Sequence, residues 1–139
     1  MSLDIIKLHL KTPPEADSEI VGVIIDGRDL VDRLKELEIQ FALPEENPRL
    51  AGEYLGLAPE EWRIRKPYQD GRSAVLGCEC GIVDCWPFLT RILVGEETVT
   101  WSDFKQPFRP KWSYAALGTF TFDRAQYLSE LAKIGCTAR

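Results

Sequence analysis

No apolar run in this chain approaches the roughly 20 residues that a membrane-spanning helix needs. The opening residues Met1-Ser2-Leu3-Asp4 have no basic segment leading into an apolar one, which speaks against a secretion signal. The expected setting is then the cytoplasm, where thiols stay reduced. Cysteine is scarce: four residues are too few for a disulfide scaffold. Basic charge is also short. Lys and Arg number 17 against 22 Asp and Glu, for a net charge of −5. That argues against general binding to nucleic acid and to anionic membranes, though not against a basic protein partner. No G-x-G-x-x-G, phosphate loop, H-E-x-x-H or G-x-S-x-G occurs. The familiar signatures of dinucleotide binding, phosphoryl transfer, zinc proteolysis and serine hydrolysis are therefore missing. Cysteine–histidine catalysis would need the single histidine, His9, beside a thiol, and nothing in the sequence puts it there.

What is present describes one α+β domain over residues 1–139. At 139 residues and 45% hydrophobic, the chain can bury a core without staples. Ile6, Leu8 and Leu10 alternate with Lys7 and His9, which predicts a half-buried strand with His9 facing away from its apolar side. Ile20 to Ile25 is almost wholly apolar and suits a strand covered on both faces. Asp26-Gly27 ends it and resembles a strand-to-helix turn. Asp29 to Phe41 predicts a helix with Leu30, Leu34, Leu37 and Phe41 as its stripe, flanked by Val31 and Glu38. About residues 43–70 an irregular connection is expected, broken by Pro44, Pro48, Pro59 and Pro67, with one helical turn near Ala58 to Trp62. Strands are predicted at Ser73 to Cys78, Phe88 to Val94, Val99 to Asp103 and Thr119 to Phe122. Asp123 caps a last helix, with Gln126 completing a capping box, Phe122 and Tyr127 a staple, and Gly135 ending it. The sum is an antiparallel sheet of about five to six strands with two main helices on one face.

The densest chemistry lies at Gly77 to Pro87. Cys80 and Cys85 would face each other across a hairpin loop, about 4.5–5.5 Å apart at Cβ. Cys78 shares a face with Cys80. Three outcomes stay open. Cys80 and Cys85 form a disulfide, or do redox work. Cys78, Cys80 and Cys85 hold zinc, with Cys136, His9 or Asp84 as a fourth ligand. Or all three are buried, inert side chains. The C-x-C-x4-C spacing lacks a second knuckle, and C-x-x-C is absent, which favours the inert reading.

The better candidate for a binding surface is the loop Gln106 to Tyr114 together with the strand before it. Asp103, Arg109, Lys111, Trp112 and Tyr114 are types enriched at interfaces. Arg109 stands between Pro107 and Pro110, so its backbone is stiff and its guanidinium is ready for a carboxylate or phosphate. The plainer alternative has Phe108, Trp112 and Tyr114 sealing the core while Arg109 pairs with Asp103.

The motifs Gly77-Cys78-Glu79-Cys80-Gly81, Cys85-Trp86-Pro87, Val99 to Phe104, Gln106-Pro107, Arg109-Pro110 and Phe122 to Tyr127 resemble the signature of a family of small uncharacterised bacterial proteins. The likeness covers roughly residues 72–131. It implies a bacterial cytoplasmic protein and brings no catalytic residue with it. The favoured expectation is a non-catalytic binding or regulatory domain for a protein or small anionic partner, using residues 101–114. A zinc or redox site at the cysteines comes second, and an unrecognised hydrolase or transferase third.

Overall fold

The computed structural model describes residues 3–14, 18–64, 70–78 and 86–135. The alternation at the start of the chain forms β1 (Ile6–Lys11), which pairs antiparallel with β2 (Ile20–Ile25) from Ile6 opposite Ile25 to Lys11 opposite Ile20. Ile6 and Leu8 are buried, but Leu10, opposite Val21, is exposed. Asp26 and Gly27 both adopt positive φ. They turn the chain back on itself as a two-residue hairpin. The next two residues, β3 (Arg28–Asp29), add briefly to β2 instead of passing straight into a helix.

Asp29 then accepts from the Val31 N–H at 2.8 Å and caps α1 (Leu30–Ala42). The buried stripe is Leu30, Leu34, Leu37, Glu38 and Ala42. Glu38 is therefore not a flank of the apolar stripe but part of it, and Phe41 is only half-buried. The proline-rich connection holds more order than its composition suggests. It contains a 3-10 turn at Pro48–Leu50, a short β4 (Leu55–Gly56) and α2 (Pro59–Ile64). After it come β5 (Ser73–Gly77), β6 (Phe88–Val94), β7 (Thr98–Lys105), β8 (Phe120–Asp123) and α3 (Arg124–Lys133).

The strands form two antiparallel sheets, ordered β1-β2-β3 and β4-β5-β6-β7-β8. Two seams join them. Val21 N–H donates to the Leu57 carbonyl at 2.8 Å, and Asp4 N–H donates to the Thr121 carbonyl at 2.7 Å. The sheets so curl into a half-barrel around one core, to which Leu34 of α1, Trp62 of α2 and Tyr127 of α3 all contribute. Ring contacts run through that core from Trp62 to Trp101, Phe122, Phe120, Phe104 and Phe88, and end at Tyr54 and Tyr114. Among the described residues no helix is long and apolar enough to cross a membrane.

Beyond Asp4, the outer edge of β1 is covered by α3. Gln126 accepts from the Ile6 N–H at 3.3 Å and donates to the Ile6 carbonyl at 2.6 Å. Glu130 accepts from the Leu8 N–H at 2.9 Å. The spacings agree, since four helical residues rise about 6 Å and two strand residues about 6.6 Å. Asp123 caps α3 through the Gln126 N–H at 3.0 Å, and Phe122 stacks on Tyr127 as a staple. The Gln126 side chain, however, does not reach back to the cap, because β1 takes it. Replacing Gln126 and Glu130 together by alanine is expected to bare this edge. The double variant should lose about 1–3 kcal/mol per orphaned group and self-associate, read by melting and light scattering. An unchanged monomer would show that the helix backbone alone guards the strand.

Candidate functional site

The loop from Gln106 to Thr119 leaves β7 and returns as β8. Its shape follows from its prolines. Arg109 N–H donates to the Gln106 carbonyl at 2.9 Å, and Trp112 N–H to the Arg109 carbonyl at 3.0 Å. Pro107 and Pro110 each sit second in one of these two successive turns, where a fixed φ favours the bend. Gln106 anchors the loop from inside. It is fully buried, donates to the Pro87 carbonyl at 3.1 Å and accepts from the Phe108 N–H at 3.0 Å.

Outside, these turns present a layered group of side chains. The Phe108 ring, 49% exposed, lies nearly parallel to Trp86, with centroids 6.1 Å apart. The Arg109 guanidinium sits 5.2 Å over Trp86 and 6.0 Å from Trp112. Its Nε donates to Glu45 at 3.0 Å, and Trp112 Nε1 donates to the other Glu45 oxygen at 2.8 Å. Phe41, at the end of α1, stacks on Trp112. Leu43 follows it and is 56% exposed. Arg109 is thus paired with an acid 64 residues away in sequence, and not with Asp103.

Inside, the same loop closes on Glu38. This carboxyl has no solvent exposure. It accepts from Gly52 N–H at 2.8 Å, Tyr54 hydroxyl at 2.6 Å and Tyr114 hydroxyl at 2.5 Å. Gln106 donates in turn to the Tyr54 hydroxyl at 3.2 Å. Burial pushes the Glu38 carboxyl above its usual range, against the three hydrogen bonds that pull it down. Burial, with Glu38 beside them, also pushes both tyrosines up, so their hydroxyls stay protonated and donate. A carboxyl this enclosed meets no substrate. It is a hub that ties α1, the Gly52–Tyr54 segment and the loop to one point.

The structure therefore splits the residues that the sequence grouped. Arg109 and Trp112 belong to the outer layer, Trp112 as its largely buried floor. Tyr114 turns inward, and Lys111 is exposed. Asp103 stands apart. The pairing of β6 with β7 slips between Leu89 and Arg91, leaving an extra residue on β7, and Asp103 has a φ of +51°. After this bulge the buried positions pass from Val99 and Trp101 to Phe104 and Gln106, and Asp103 turns outward, where it pairs with Arg91 at 3.2 Å. It does not share a face with Val99 and Trp101.

Cys78 is half-buried just after β5. Cys80, Cys85, Asp84 and Cys136 lie outside the described residues, and with them the expected thiolate site. His9 packs its ring across Gly22, its partner on β2. Among the described residues no group of three or more His, Cys, Asp or Glu side chains is arranged to hold a metal.

Comparison of the chain with protein-family models, curated proteins and solved structures finds no match. The functional argument therefore rests on geometry. Of the residues in it, Glu38, Glu45, Trp86 and Phe108 were missed as site residues by sequence reasoning. Glu38 did carry a signal: it lies four residues after Leu34, on the apolar stripe of α1.

Proposed function

We propose that this chain is a non-catalytic binding domain whose protein partner docks on the surface formed by Phe108, Arg109 and Trp86. The observation that carries this reading is the half-exposed Phe108 ring held flat on Trp86, next to an arginine fixed over two tryptophans. Trp, Tyr and Arg are the types that dominate interface energetics. Two proline turns and the Glu45 pair have already ordered this surface, so the domain itself would lose little side-chain entropy on binding. Phe108 and Leu43 offer apolar area, while Arg109 favours a partner whose apolar contact is flanked by a carboxylate. The proposed setting is the bacterial cytoplasm, as the resemblance of residues 72–131 implies.

The test is a photo-crosslinker placed at residue 108, followed by identification of the captured protein and a binding measurement with it purified. Phe108→Ala and Arg109→Ala should each weaken that complex about 30-fold, the size of a hot-spot contact. Both variants should melt near the parent temperature, since their side chains are partly exposed. A partner that binds both variants as tightly as the parent would end the proposal.

A further inference from the structure

On another part of the same loop, a cavity of about 370 Å³ is lined by Arg72, Asp103, Phe104, Tyr114, Ala115, Gly118 and Thr119. Its size is within the range of small-molecule sites. Five charged side chains cluster at and beside it: Arg72, Arg91, Lys105, Asp70 and Asp103. Three cations against two carboxylates leave a surplus positive charge in a protein whose net charge is −5. The pairing within the cluster is uneven. Asp70 lies 3.1 Å from Lys105, and Asp103 lies 3.2 Å from Arg91. Arg72 is left with Asp70 at 3.8 Å and with the uncharged Asp103 carbonyl, to which its Nε donates at 2.7 Å. Its side chain is only 18% exposed, so its charge is both partly desolvated and weakly compensated. Asp103, in contrast, keeps 59% of its side chain exposed at the same wall.

We propose that this cavity binds a small zwitterion, an amino acid or a short peptide end, with its carboxylate on Arg72 and its ammonium toward Asp103. The chemistry follows from the juxtaposition. A guanidinium suits a carboxylate, and Arg72 is the cation here with the weakest partner. A dianion such as phosphate would meet Asp103 in the same wall and be repelled, whereas a zwitterion matches both signs. Thr119 adds a hydroxyl at the rim. The bulge at Asp103 is what makes the arrangement possible, because regular pairing would have turned that side chain away. The site lies apart from Phe108, Trp86 and Arg109, so it does not depend on the protein-docking reading.

The experiment is calorimetric titration of the full chain with single amino acids, dipeptides, acetate and inorganic phosphate. Amide shifts at Gly118 and Thr119 locate any binding. At least one zwitterion should bind with a dissociation constant below about 1 mM. Arg72→Gln should weaken it tenfold or more, Arg72→Lys should restore part of the affinity, and Asp103→Asn should weaken zwitterions while sparing acetate. Arg109→Ala should leave all titrations unchanged. Should Arg72→Gln prove unstable, Thr119→Val together with the Gly118 shifts decides in its place. Tighter binding of phosphate than of every zwitterion, no saturable binding at all, or binding indifferent to both Arg72→Gln and Thr119→Val would overturn the proposal.

Discussion

Glu38→Leu is expected to lower the unfolding free energy by about 3–5 kcal/mol, the largest effect of any single side chain here. The change leaves the Gly52 N–H and the Tyr54 and Tyr114 hydroxyls buried without their acceptor. A domain of this size has only about 5–15 kcal/mol in total, so the variant is near unfolding. Tyr114→Phe removes one donor and should cost about 1–2 kcal/mol. Denaturant titration of the single and double variants separates the two contributions, since neighbours in one network do not add. A Glu38→Leu protein as stable as the parent would mean the network makes no net contribution.

The same carboxyl sets a pH dependence. Its folded-state pKa is raised, so the folded chain keeps this proton to a higher pH than the unfolded chain does. Stability from this group is whole below the unfolded value, roughly pH 4 to 5, and is lost as pH rises through the folded value. Asp4 is shifted the same way, chiefly by burial. Glu38→Gln should therefore flatten this fall of stability with pH without abolishing it. An unchanged slope would assign the titration to Asp4.

Gly56→Ala is expected to be the second most damaging change, costing about 3 kcal/mol or more. A Cβ at Gly56 would lie 2.0 Å from the Val21 carbonyl oxygen and 2.7 Å from its carbon. Those are backbone atoms of the seam that joins the two sheets, so relief requires the seam to open. Gly22 is an instructive contrast. There a Cβ would meet the His9 ring at 2.4 Å, but a side chain can swing aside. Gly22→Ala should melt well above Gly56→Ala in thermal scans. If the two melt together, the seam is softer than its geometry states.

The elements that depend on local pattern could be read directly. β6 spans the expected Phe88–Val94, α1 begins at the Asp29 cap, and α3 has the Asp123 cap, the Phe122–Tyr127 staple and a positive-φ Gly135 at its end. Each is fixed by neighbours within a few residues, and such preferences are visible in the chain itself. The stiffness of Arg109 between two prolines was legible for the same reason. Its partner was not. Glu45 is one of 22 acids, and only the return of the loop onto the end of α1 selects it.

By itself, then, the sequence determined the α+β class, the main helices and strands and the rigid arginine loop, because hydrophobic period, caps and prolines act locally. Tertiary structure decided the rest. It closed two sheets where one was expected, since the Val21–Leu57 and Asp4–Phe122 seams join residues far apart in the chain. It buried Glu38 with three donors from two other segments, and it turned Asp103 outward through a bulge that has no local signature. These outcomes depend on which groups meet across the core, and a charged or polar residue shows its role only once its partners are in place.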